Sequence, residues 1–244
     1  MKCLMLVTTM LLLTTATAQE RKDIFADPQN LKVLPKDISS AELSKTMRGF
    51  AFALDARCET CHVGEAGQPL ETFDFAADEK QNKETARAML KMVSAINNEH
   101  LGMLDDPKLQ VSCMTCHRGV RRPMTTSAVL AEAMSDGGVD AAVAKYAELR
   151  ENYYGSHSYD FTEAVLSNMA QSVARAGDPA AALTLLELND QHFPRSFQNH
   201  WLKGEAAMML NDKDLARKQF ETALEIGSDP RSEAFIQQRL DSLQ

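Results

Sequence analysis

The 244-residue chain has no surplus of positive charge: 26 Lys and Arg stand against 34 Asp and Glu, a formal net charge of −8. Nucleic acid is therefore excluded as an expected partner, because its binding rests on neutralising phosphates with clustered cations. Long apolar runs are missing too. The run from Leu4 to Leu13 is shorter than the roughly 20 residues needed to cross a bilayer, and no later stretch replaces it, so no transmembrane segment is expected in the mature chain. There is no Gly-rich phosphate loop, no Ser/His/Asp order and no paired catalytic carboxylate, which leaves the common hydrolytic and nucleotide-dependent classes without support. Extended signals are few; Leu31 to Leu34, before Pro35, reads as a short strand or an extended lead-in. The expected fold class is all-α.

Cysteine is scarce, with 5 in the whole chain. Cys3 lies ahead of the apolar run, and Ala16-Thr17-Ala18 after the run is a small-residue cleavage pattern. Residues 1–18 are expected to be a signal peptide that removes Cys3 and exports the rest, best to a bacterial periplasm. The four remaining cysteines fall in two pentapeptides, which leaves none for a disulfide.

Those pentapeptides, Cys58-Glu59-Thr60-Cys61-His62 and Cys113-Met114-Thr115-Cys116-His117, carry the Cys-x-x-Cys-His spacing of c-type haem attachment. Two thiols add to the two vinyl groups of one porphyrin, and the adjoining His reaches the iron as proximal ligand. Two covalently bound c-type haems are expected, with Cys58, Cys61, Cys113 and Cys116 as thioether residues and His62 and His117 on the irons. Zinc is the rival, since two Cys-x-x-Cys pairs can close a tetrathiolate site. Such a site gives no reason for His to follow both second cysteines, and ribbon-type sites keep their pairs about 15–20 residues apart.

The contents change near Pro123, after Arg118-Gly119-Val120-Arg121-Arg122. The expected organisation is a dihaem cytochrome c domain over 19–124 and a helical repeat domain over 125–244. In the first, Ser39 and Glu42 form a capping box, followed by Leu43, Met47, Phe50 and Leu54 on one helical face. A second helix is expected from about Lys83 to Glu99, with Ala86, Met89, Val93, Ile96 and His100 in register, and Val63 to Gln81 between them as a loop. In the second domain, residues recur at a period of 34: Ala170 with Gly204, Ala182 with Ala216, Leu186 with Phe220. This is a tetratricopeptide (TPR) signature, small residues letting helices cross closely beside a bulky one. A weaker copy with Ala142 and Tyr146 follows Gly137-Gly138. Such repeats either bind a peptide or protein on a curved surface or simply cap the cytochrome. Trp201 is expected to serve packing.

The group opposite each proximal His decides between electron transfer and catalysis. From spacing, Met47 suits the first haem and Met89 the second, with Met92, Met103, Met124 and His100 as competitors and ordinary core packing as the alternative for any of them. Arg118, Arg121 and Arg122 are either propionate partners or solvated linker charges, and His100 is a reserve ligand or a packing residue.

The ordered segments Asn30-Leu31-Lys32-Val33-Leu34, Glu42-Leu43-Ser44-Lys45-Thr46-Met47, the first pentapeptide, Ala86 through Asn97, and Val111 through Gly119 resemble one half of the cytochrome subunit of photosynthetic reaction centres, over roughly 30–123. In that family each haem is held by a helix bearing an axial Met, a turn, and then the Cys-x-x-Cys-His segment. The resemblance implies Met47 with His62 and Met89 with His117. That family has four haems in two such halves, whereas this chain has one half followed by helical repeats, so docking to a reaction centre does not follow. The resulting expectation is a periplasmic dihaem cytochrome relaying single electrons between redox protein partners. The rivals are a dihaem enzyme such as a peroxidase, with one open distal face, and a haem-containing interaction protein whose repeats hold a partner.

Overall fold

The structure is a computed structural model and describes residues 23–104, 109–227 and 229–243. The expected signal peptide lies outside them. Among the described residues there are helices and turns and no strand; Val63 and Asp74 form one isolated antiparallel bridge, and 31–34 is a string of bends, so it is a lead-in rather than a strand. No described helix is long and apolar enough to cross a membrane.

The chain divides into two compact units, Met1–Ala51 with Arg57–Gln110, and Phe52–Ala56 with Val111–Gln244. The second unit thus includes the second pentapeptide.

In the first unit, the expected capping box forms: Ser39 Oγ accepts from Glu42 N at 3.2 Å while the Glu42 carboxylate accepts from Ser39 N and Oγ. It starts α1 (Ser40–Leu54), which ends at Asp55 in the left-handed region, φ 45°. Leu43 is buried on this helix and Met47 and Phe50 are half-buried. The stretch from Val63 onward is a loop with one 3-10 turn at Leu70–Thr72, and α2 (Gln81–Ala95) follows it. A π-turn, Ile96–His100, continues α2 and leaves His100 exposed rather than packed.

The second unit holds α3 (Cys113–His117), α4 (Thr126–Tyr153), α5 (Glu163–Arg175), α6 (Pro179–His192), α7 (Phe197–Met209), α8 (Lys213–Ile226) and α9 (Pro230–Asp241). Gly137-Gly138 breaks α4, with Gly138 at φ 74°, a conformation that glycine adopts without Cβ strain. The starts of α5 and α7, and those of α6 and α8, lie 34 residues apart, and so do the caps Asp178 and Asp212, which accept from Ala181 N at 2.9 Å and Leu215 N at 3.0 Å. α5 packs on α6, α6 on α7, α7 on α8 and α8 on α9. The periodic residues Ala170, Ala182, Leu186, Ala216 and Phe220 are buried, as are Ala142 and Tyr146. A Cβ on Gly204 would fall under 3.0 Å from the Phe220 ring, so the small residue and the bulky one are a matched pair. Trp201 packs against both hydrophobic clusters of this unit and stacks on Phe235 with ring centroids 4.8 Å apart.

Candidate haem-binding turns

Each pentapeptide is wound into a single turn. At Cys58–Thr60 it is a 3-10 turn in which Cys58 O accepts from both Cys61 N at 3.2 Å and His62 N at 2.9 Å; at α3 it is one α-helical turn. On such a turn, positions i, i+3 and i+4 share a face, which brings both thiols and the imidazole of each motif to one side. The turns are capped alike. Thr60 Oγ1 accepts from Arg57 N at 3.3 Å, and Thr115 Oγ1 accepts from Ser112 N at 3.0 Å. The threonine preceding the second Cys is thus a support residue that sequence reasoning passed over. Its signal was available, since Thr occupies that place in both motifs.

The imidazoles differ in their surroundings. His117 Nδ1 lies 2.9 Å from Val120 O. A carbonyl only accepts, so Nδ1 carries the proton and Nε2 is left with the lone pair that iron requires. The exit from this turn is fixed by Arg118 at φ 50°, by Gly119 N donating to Ala53 O at 2.9 Å, and by Ser158 Oγ donating to Arg118 O at 2.6 Å. His62 stands edge-on to the Phe75 ring, centroids 5.0 Å apart, and Phe75 stacks with Phe73. Its buried Nδ1 makes no hydrogen bond of normal geometry. Burial first, then the charge of Lys83 and, more weakly, of Arg87 and Lys80, pushes the His62 imidazole below its ordinary pKa, opposed in part by the Phe75 backbone. The His62 surroundings thus favour the neutral imidazole that iron requires, and those of His117 orient its ring.

The four thiols form no disulfide; Cys58 and Cys116 are exposed, Cys61 and Cys113 half-buried, and burial raises the Cys113 thiol pKa. Among the described residues no three His, Cys, Asp or Glu side chains gather at one metal-sized point. The donor set of each turn, two thiols and an imidazole on one face, fits a c-type haem.

Met47 on α1 and Met89 on α2 are both half-buried, whereas Met92 and Met103 are 45% and 76% exposed. Met89 belongs to the first unit and His117 to the second. Arg122 is engaged elsewhere, its guanidinium donating to both carboxylate oxygens of Glu132 at 2.7 and 2.6 Å, while Arg118 and Arg121 are exposed.

The N-terminal turn of α2 grips the first pentapeptide. Lys80 Nζ donates to Glu59 O, Asn82 Nδ2 to Thr60 O at 3.1 Å, and Lys83 Nζ to the carbonyls of Phe75, Ala76 and Ala77 at 2.9, 3.1 and 2.7 Å. Asp78 gathers Lys32, Asn30, Lys83 and Arg87 around one carboxylate. Sequence reasoning missed this grip, because it depends on where the 63–80 loop returns.

A family model described as photosynthetic reaction centre cytochrome C subunit matches residues 7–183, running past both pentapeptides through α4 and α5 into α6. No curated protein and no solved structure matches the chain. With well over half its length in that match, the chain belongs to the photosynthetic reaction centre cytochrome C subunit family: it is a c-type cytochrome, with covalently bound haem and electron transfer as its chemistry.

Proposed function

We propose that this protein is a periplasmic dihaem electron carrier. One haem is held by Cys58, Cys61 and His62 with Met47 opposite, the other by Cys113, Cys116 and His117 with Met89 opposite. The observation that carries the reading is the repetition of one local design, a Cys-x-Thr-Cys-His segment wound into a single threonine-capped turn with thiols and imidazole on one face. Bound haem supplies a one-electron ferric/ferrous couple whose potential answers to its axial ligands and surroundings. The chain's part is to fix the imidazole: the Val120 carbonyl sets the His117 tautomer, and burial, then the cations beside His62, disfavour its protonation.

Export rests on the Leu4 to Leu13 run and the Ala16-Thr17-Ala18 pattern, and the domain organisation on the change of content near Pro123. α5 to α8 make two tetratricopeptide-type repeats, supported by the 34-residue spacing of their helix starts and caps; α9 closes the array. The partners are redox proteins, with the repeat surface available for docking.

Intact mass and the reduced alkaline-pyridine spectrum of the chain, produced in a host competent for haem attachment, test the reading. Two haems per chain are expected, falling to one in Cys58→Ala/Cys61→Ala and to one in Cys113→Ala/Cys116→Ala. A wild-type chain with a single haem would reject the dihaem reading. Methionine ligation predicts a sulfur-to-iron charge-transfer band in the oxidised spectrum, lost when Met47 and Met89 are both replaced; its absence from the wild type would reject the axial assignment.

A further inference from the structure

The strongest concentration of charge in the first unit lies beside the first haem-binding turn and has no part in attaching haem. Lys83 is a half-buried cation, its side chain 11% exposed. Three backbone carbonyls of 75–77 hold its ammonium, and the first of these belongs to Phe75, whose ring lies against His62. Lys80, the cap of α2, and Asn82, next to Lys83, hold the Glu59 and Thr60 carbonyls of the pentapeptide itself. The positive end of the α2 backbone points the same way. Arg87 adds a second half-buried cation, a guanidinium 12% exposed, paired with Asp78 at 2.8 Å and with Glu84. Of the local carboxylates, Asp78 lies 3.1 Å from Lys83 Nζ and also takes Lys32 at 2.6 Å, so it offsets the cations in part.

Carbonyl dipoles hold an ammonium in place without cancelling its charge. A fixed positive charge close to a haem opposes the extra positive charge of ferric iron and favours the ferrous state, and a partly buried cation is screened less than a solvated one. We propose that Lys83 is a potential-setting residue, raising the reduction potential of the haem at Cys58, Cys61 and His62, and that Asp78 acts against it as a partial counter-charge. The inference rests on the reading that His62 ligates haem iron. Lys83 and Asp78 supply no haem-attaching group and act through the local field. The electron enters and leaves through the haem; neither side chain changes its own oxidation state.

Two variants of the full-length haem-loaded protein, followed by spectroelectrochemical titration, test the proposal because they carry opposite signs. Lys83→Met keeps the length and apolar stem of the side chain and removes the charge; it is expected to lower the potential of one haem by about tenfold in the reduction equilibrium constant, 59 mV for one electron, with the other haem unmoved. Asp78→Asn keeps the shape and unmasks the cations; it is expected to raise the same potential. Opposite shifts confined to one haem support the proposal. If Lys83→Met fails to take up haem, the sign for Asp78→Asn decides alone. Unmoved potentials, or a downward shift in Asp78→Asn, overturn the proposal while leaving His62 ligation standing. A wild-type Cys58–His62 peptide without haem, read by peptide mass, overturns ligation and proposal together.

Discussion

Thr60 and Thr115 show how little chemistry is needed to shape a haem-binding turn. Each hydroxyl accepts the backbone N–H just ahead of the first Cys, and this holds the turn whose face carries both thiols and the imidazole. Removing such a cap costs about 1 kcal/mol, so Thr115→Ala is expected to lower the thermal midpoint of the haem-loaded protein by a few degrees without changing haem content. An unchanged midpoint would mean that covalent attachment alone holds the turn. Asp78 makes a different prediction. Lys32, then Asn30, Lys83 and Arg87, hold its carboxyl far below the ordinary carboxylate range. The folded state therefore binds fewer protons than the unfolded one across that range. The contribution is fully present above about pH 5 and is lost progressively as pH falls below that. The gap between the thermal midpoints of wild type and Asp78→Asn is expected to be constant from about pH 7 to about pH 5 and to narrow between about pH 5 and about pH 3; a gap that does not narrow would mean that Asp78 does not titrate against these partners.

At the scale of the helix, Gly204 sets two effects against each other. Alanine is favoured over glycine inside a helix by about 1 kcal/mol, yet a Cβ here would enter the space of the buried Phe220 ring, and overpacking of this kind costs about 1–3 kcal/mol. Packing is expected to win. Gly204→Ala should lower the urea midpoint with an unchanged slope, while the shared variant Gly204→Ala/Phe220→Leu recovers part of the loss; a more stable single variant would show that α7 and α8 do not approach this closely in solution. This pairing was legible in the sequence, because a 34-residue period compares Gly204 with Ala170 and Phe220 with Leu186. The Ser39/Glu42 box and the Gly137-Gly138 break were legible for a similar reason: capping and positive φ are local properties of one or two residues. The π-turn at Ile96–His100 was not, since the apolar register continues unbroken into it. Nor was the Lys80, Asn82 and Lys83 grip. Side chains on the first turn of a helix read as solvated charge until a loop brings carbonyls to them.

The two units differ in what holds them together. The second has continuous hydrophobic clusters, from Leu130, Tyr146, Leu166 and Leu185 through Phe220 and Ile236. Among the described residues of the first, Leu43 and Phe73 are the buried apolar side chains, and its order otherwise comes from ion pairs around Asp78 and backbone hydrogen bonds from lysines. Exposed or half-exposed ion pairs contribute little each, typically up to about 1 kcal/mol, whereas ordering the backbone costs roughly 1–2 kcal/mol per residue. A segment of this length with so small an apolar core does not offset that cost from its own side chains. Porphyrin, a large apolar ring joined to the chain at Cys58 and Cys61, is the natural source of the remainder, as bound groups add their binding free energy to the folded state. A chain produced without haem attachment should then divide its behaviour. Limited proteolysis is expected to cut it readily before about residue 110 and to leave a resistant helical fragment beginning near α4, which unfolds cooperatively in urea. In the haem-loaded protein the early cuts should slow by more than an order of magnitude. Equal resistance of residues 23–104 in both forms would show that the ion pairs around Asp78 and the α2 grip suffice to fold the first unit, and that haem is a passenger in it rather than a part of its core.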